Sequence, residues 1–108
     1  MDNKEILQRM EAGAFIENNG KVLRAINLIK GKYIKLSQVR FALPAVSYDD
    51  VFKSVNFLSE EGYMHIRSVE TKENANIADF NLEDLEGKLS GKGIRLLCGD
   101  IKDRAIDV

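Results

Sequence analysis

The stretch LSQVRFALPAVSYDDVFKSVNFLSEEG, Leu36 to Gly62, carries two helical patterns separated by a single proline. Leu36, Val39, Ala42 and Leu43 repeat at helical spacing over roughly two turns, and Pro44 closes that short helix because its ring cannot continue the backbone pattern. Ser47 and Asp50 stand at the separation of a capping box, and Asp49 and Asp50 put negative charge where a helix N-terminus favours it. At 100° per residue Tyr48, Val51, Phe52, Val55 and Leu58 share one apolar arc, and Gly62 ends the helix. A short helix, a tight turn and a longer capped helix predict a helix-turn-helix.

Downstream, YMHIRSV (Tyr63 to Val69) is rich in aromatic and β-branched residues and predicts a strand, with Tyr63, His65, Arg67 and Val69 on one face and Met64, Ile66 and Ser68 on the other. Thr71 to Asn76 is a polar loop. A return strand falls between Ile77 and Leu89, best placed at Leu82 to Leu89. Ser90 then caps a last short helix, Gly91 to Cys98, which Gly99 ends.

Upstream, Asp2 and Glu5 start an N-terminal helix whose Ile6, Leu7, Met10 and Ala14 form one stripe. Asn18-Asn19-Gly20 favours a break there, the alternative being one long helix that absorbs it. A second helix from Lys21, with Val22, Leu23, Ala25, Ile26 and Ile29 inward, is expected to end near Lys30 with Gly31 as its cap. Tyr33 and Ile34 suit a very short strand. The closing DIKDRAIDV (residues 100–108) is expected either to fray or to act as a strap that finds a surface only in a dimer. The fold class is α+β, mainly α with a small antiparallel wing, in one domain: residues 1–18 as N-terminal helix and possible dimerisation element, 21–99 as core, 100–108 as tail.

The order helix, short helix, capped helix, strand, polar loop, strand resembles the winged helix-turn-helix domains of ArsR-like and MarR-like bacterial regulators over roughly Lys21 to Gly99. Ser47-x3-Val51-x3-Val55-x2-Leu58-x3-Gly62-Tyr63 is similar to their recognition helix and its exit into the first wing strand. Leu89-Ser90-Gly91-Lys92-Gly93-Ile94-Arg95-Leu96-Leu97 is similar to the L-T-x-K-G-x-x-L-L run after the second wing strand. The chain also resembles short winged-helix proteins encoded in Mu-like prophages. The resemblance implies DNA binding as a homodimer, as in transcriptional regulators, although members of the superfamily also serve as protein-binding modules.

At 108 residues, with 44% hydrophobic and 31% charged side chains, the chain is an ordinary globular domain in composition, and its net charge of -1 gives no overall signature of a nucleic-acid binder. No stretch matches a signal peptide or a membrane span, and the single Cys98 has no partner for a disulfide, so the expected compartment is the cytoplasm. Cofactors, metals and catalysis are not expected. His65 lacks a matching nucleophile or acid, Cys98 reads as a small packing residue, and Gly87, Gly91 and Gly93 lack the context of a phosphate loop.

For DNA, the helix after Pro44 offers Ser47, Tyr48, Lys53, Ser54 and Asn56 as contacts, but Lys53 is its only cation beside Asp49, Asp50, Glu60 and Glu61. Lys21, Arg24, Lys30, Lys32, Lys35 and Arg40 occupy a stretch, Lys21 to Leu43, that contains no acid. Within it Lys32, Lys35, Gln38 and Arg40 are candidate phosphate contacts, joined by Arg67, Lys72 and Lys88 in the wing. A protein partner is the competing expectation, docking on that acidic helix and on Phe57. This ring falls about 180° from the apolar arc of its helix and must pack on the N-terminal helix or the tail, or else stay exposed. Ile6, Leu7 and Met10 are the candidate dimer contacts.

Overall fold

The computed structural model describes residues 2–29 and 31–108. Its first helix, α1 (Asn3–Ile26), starts where Asp2 accepts a hydrogen bond from the Glu5 amide. The strand β1 (Ile34–Lys35) leads directly into α2 (Leu36–Ala42), and α3 (Tyr48–Glu60) follows the Pro44 turn. The Ser47 hydroxyl caps α3 by accepting from the Asp50 amide at 3.1 Å. Gly62, at φ +79°, supplies the left-handed step that turns the chain into β2 (Met64–Ser68). Single 3-10 turns at Ile77–Asp79 and Leu82–Asp84 precede β3 (Leu85–Leu89), and Ser90 caps α4 (Gly91–Leu97).

Among the described residues the architecture is α+β, with four α-helices and one antiparallel sheet of three strands in the order β1-β3-β2. In register, Ile34 lies beside Gly87 and Gly87 beside Ile66, while Lys35 lies beside Glu86 and Glu86 beside Arg67. Side chains alternate across a pleated sheet. Ile34, Ile66, Met64 and Leu89 therefore face the helices, joining Leu23 and Ile26 of α1, Val39 of α2 and Val51, Val55 and Leu58 of α3 in one buried core.

Three expectations are corrected. The Asn18-Asn19-Gly20 segment does not break the helix, because α1 runs through it and ends at Ile26, short of the expected end near Lys30, which lies outside the described residues. Residues 100–108 explain why polar and flexible residues stand there. The segment neither frays nor waits for a dimer: it straps across its own α1, burying Ile106 and placing the Ala105 carbonyl 2.9 Å from Asn19 Nδ2. The Asp107 amide donates to the Ile16 carbonyl, and a Cβ on Gly20 would collide with the Asp107 carbonyl. Tyr63 holds the strap from the other side, donating to Asp103 Oδ2 at 2.6 Å.

The return strand is also shorter than expected. Residues 82–84 form a 3-10 turn instead, with the Leu82 amide donating to the Tyr48 hydroxyl.

Candidate nucleic-acid interface

The α3 surface is built mainly of carboxylates. Asp49, Glu60 and Glu61 are exposed and Asp50 half-buried, against exposed Lys53 and Asn56. Ser54 does not belong to this surface: it is 0% exposed, because it lies three residues from Val51 and four from Leu58 and so falls within the apolar arc. Ser47 is occupied as the α3 cap. Tyr48 is half-buried, its hydroxyl engaged by Leu82 and its ring covered by the Arg40 guanidinium at 5.3 Å from the centroid. The loop joining β2 to β3 extends the same charge, with Glu70, Glu73, Asp79, Glu83 and Asp84 all exposed.

Phe57 finds its partner inside the fold. Its ring packs edge-on against Phe15 of α1, centroids 5.3 Å apart at 72°, which leaves it half-buried. A different aromatic is free. Phe41, on α2, is 88% exposed beside Pro44 and Arg40, outside the helical repeat of Leu36, Val39 and Leu43.

The cations gather on the outer face of the sheet. Strand register places Lys35, Glu86 and Arg67 in one row and Lys88 and His65 in the next, all on the side away from the core. Lys35 and His65 are exposed, and Arg67 and Lys88 half-buried. The Arg67 guanidinium stacks 3.6 Å from the centroid of Tyr33, and the Lys88 amine lies 5.4 Å from the same ring. Glu86 is the carboxylate at the centre of this face. Its Oε1 accepts from Arg67 Nε at 2.6 Å and from Lys72 Nζ at 2.9 Å. Burial alone would raise the Glu86 pKa, but hydrogen bonds from Lys72 and Arg67, reinforced by their charges, outweigh it and hold the carboxyl below its usual value. Lys72 reaches this position from the hairpin turn at a left-handed φ of 63°.

The remaining candidates lie apart from this face. Lys32 is exposed in the segment entering β1, and Gln38 and Arg40 are exposed on α2. Arg24, on α1, donates to the Asp107 carbonyl of the strap at 3.3 Å. Among the described residues no group of three or more His, Cys, Asp or Glu side chains could hold a metal, and no helix is long and apolar enough to cross a membrane. Comparison with family models, curated proteins and solved structures finds no match to this chain.

Proposed function

We propose that the chain is a winged-helix DNA-binding protein that holds duplex phosphates with the outer face of its sheet rather than by inserting α3 into the major groove. The observation that carries this reading is the gathering of four cations on one sheet face, Arg67 and Lys88 against Tyr33 and Lys35 and Lys72 beside the central carboxylate of Glu86. Lysine and arginine on a shallow face neutralise phosphates without reading bases, and such contacts position a duplex. The carboxylates of α3 and of the β2–β3 loop would repel the backbone, which argues against groove entry by that helix. A role in transcriptional regulation follows from this reading as a proposal of the same standing.

Fluorescence anisotropy with a labelled duplex tests it. Binding should weaken steeply with salt, and Lys35→Glu with Lys88→Glu should remove it, whereas Lys53→Glu on α3 should leave it within about twofold. Absence of salt-sensitive binding to any duplex overturns the proposal. A second reading, a winged-helix module that docks on a protein through its acidic α3, is favoured by the exposed carboxylates of Asp49 at the start of that helix and of Glu60 and Glu61 at its end. It calls for a basic partner whose capture is lost on charge reversal at Glu60 and Glu61 but survives reversal at Lys35 and Lys88.

A further inference from the structure

Strand β2 is an edge of the sheet, and half of that edge is open. The Tyr63 carbonyl accepts from the Ser90 amide at 2.9 Å, and the Val69 amide donates to the Asp84 carbonyl at 3.0 Å. These two bonds set the phase of the antiparallel ladder. Odd-numbered residues along β2 bond to β3, and even-numbered ones turn their N–H and C=O groups to the outer edge. From the Ile66 carbonyl onward that edge is covered, since this carbonyl accepts from the Ala75 amide and the Ser68 amide donates to the Glu73 carbonyl. The covering segment then leaves for the turn at Ile77–Asp79. Among the described residues the N–H and C=O of Met64 and the N–H of Ile66 are left without a backbone partner. The opposite edge offers no such template, because β1 is only two residues long.

A cleft of about 440 Å³ runs along the open stretch, lined by Met64 and Ile66 of β2, Ser59 and Glu60 of α3, and Ile77 among others. We propose that this edge takes an extended peptide segment of another protein, added to β2 as a further strand, with a lysine or arginine opposite Met64. The free backbone groups are those an added strand pairs with, and edge addition of this kind draws affinity from the main chain and specificity from side-chain clefts. Met64 is buried against the helices, so the residue opposite it on the new strand also turns to the helix side, into the cleft. The lining there calls for a long side chain with an apolar stem and a positive head. Ile77 suits the stem, and Glu60 is the only carboxylate of a lining that holds no Lys or Arg. Exposed Glu61, Glu73 and Asp79 stand within two residues of the lining and extend the negative charge. The proposal rests on the second reading above, a basic partner at the acidic end of α3, and names how that partner is held. It is independent of whether the outer sheet face binds DNA.

Amide hydrogen exchange followed by NMR on the full chain tests it, with the capped pentapeptide TVKVT as the probe. At saturating peptide, exchange at the Met64 and Ile66 amides should slow severalfold, while the His65 and Arg67 amides, already bonded to β3, should change little. The same peptide N-methylated along its backbone should not bind. Glu60→Gln should weaken binding of TVKVT about two- to fivefold, the scale of an exposed ion pair, and should leave a TVLVT peptide unaffected. Unchanged exchange at Met64 and Ile66 with millimolar TVKVT overturns strand addition, and so does equal binding of the N-methylated peptide. The second of these outcomes, combined with loss of binding on charge reversal at Glu60 and Glu61, would leave α3 docking standing without the strand. Slowed exchange at both amides on raising the concentration of the chain alone would make a second copy the occupant and equally overturn the proposal.

Discussion

Ser54 on α3 and Asn19 on α1 are both fully buried, yet the Ser54 hydroxyl and the Asn19 Oδ1 have no hydrogen-bond partner among the described residues. The two residues should respond oppositely to truncation. A buried polar group left unpaired costs about 1–3 kcal/mol, so Ser54→Ala is expected to stabilise the chain by about 1 kcal/mol in urea denaturation. Asn19→Ala should destabilise it by a similar amount, because Nδ2 of Asn19 holds the strap at Ala105. Glu86 adds a pH dependence. Its folded-state pKa is lowered from the ordinary 4.5, so the ionised carboxylate contributes stability that is present above that value and lost as pH falls through the folded pKa. The stability gap between wild type and Glu86→Gln should be widest near neutral pH and should close in acid.

At the scale of elements, most boundaries were legible because local chemistry and tertiary packing agree there. Ser47, Ser90 and Gly62 act as caps and turn where their side chains or backbone freedom demand it, and β2 presents the alternation read from YMHIRSV. The Asn18-Asn19-Gly20 segment was misread because its reason is a contact 86 residues away, between Asn19 and Ala105, which no local pattern contains. Two glycines of the same helix make the distinction measurable. Gly13→Ala should stabilise the monomer by about 0.5–1 kcal/mol through helix propensity alone. Gly20→Ala should destabilise it by about 1–3 kcal/mol, since its Cβ must displace the strap. The strap also answers to alkali. Burial, the hydrogen bond to Asp103 and the nearby charges of Asp103 and Glu61 raise the Tyr63 pKa from 10.0 to about 12. The neutral phenol is thus favoured in the fold, and its contribution is intact below pH 10 and lost as pH rises towards 12. Thermal melts of wild type should fall across that window more steeply than those of Tyr63→Phe.

Across the whole molecule a net charge of -1 conceals two faces of opposite sign. The cations of the sheet face could be named from sequence, but their convergence depends on strand register, and the carboxylate that binds two of them, Glu86, went unnoticed as one residue of a short strand. That carboxylate sets the electrostatic strength of the face. Lys35 and Lys88 have no ion pair among the described residues, whereas Arg67 and Lys72 share the single negative charge of Glu86. If a duplex lies on this face, Lys35, Arg67, Lys72 and Lys88 less the charge of Glu86 leave about three positive charges available, and the logarithm of affinity should fall against the logarithm of salt with a slope of roughly -2.7. Glu86→Gln removes the internal competitor for Arg67 and Lys72. It should therefore tighten duplex binding at low salt and steepen the slope by about 0.9, the increment of one further neutralised phosphate, in the same variant that loses stability at neutral pH. Stability and affinity moving in opposite directions would distinguish a face where Glu86 restrains phosphate contact from one where it merely supports the fold. If Glu86→Gln instead weakens binding in step with stability, the sheet face is not the surface that meets the duplex.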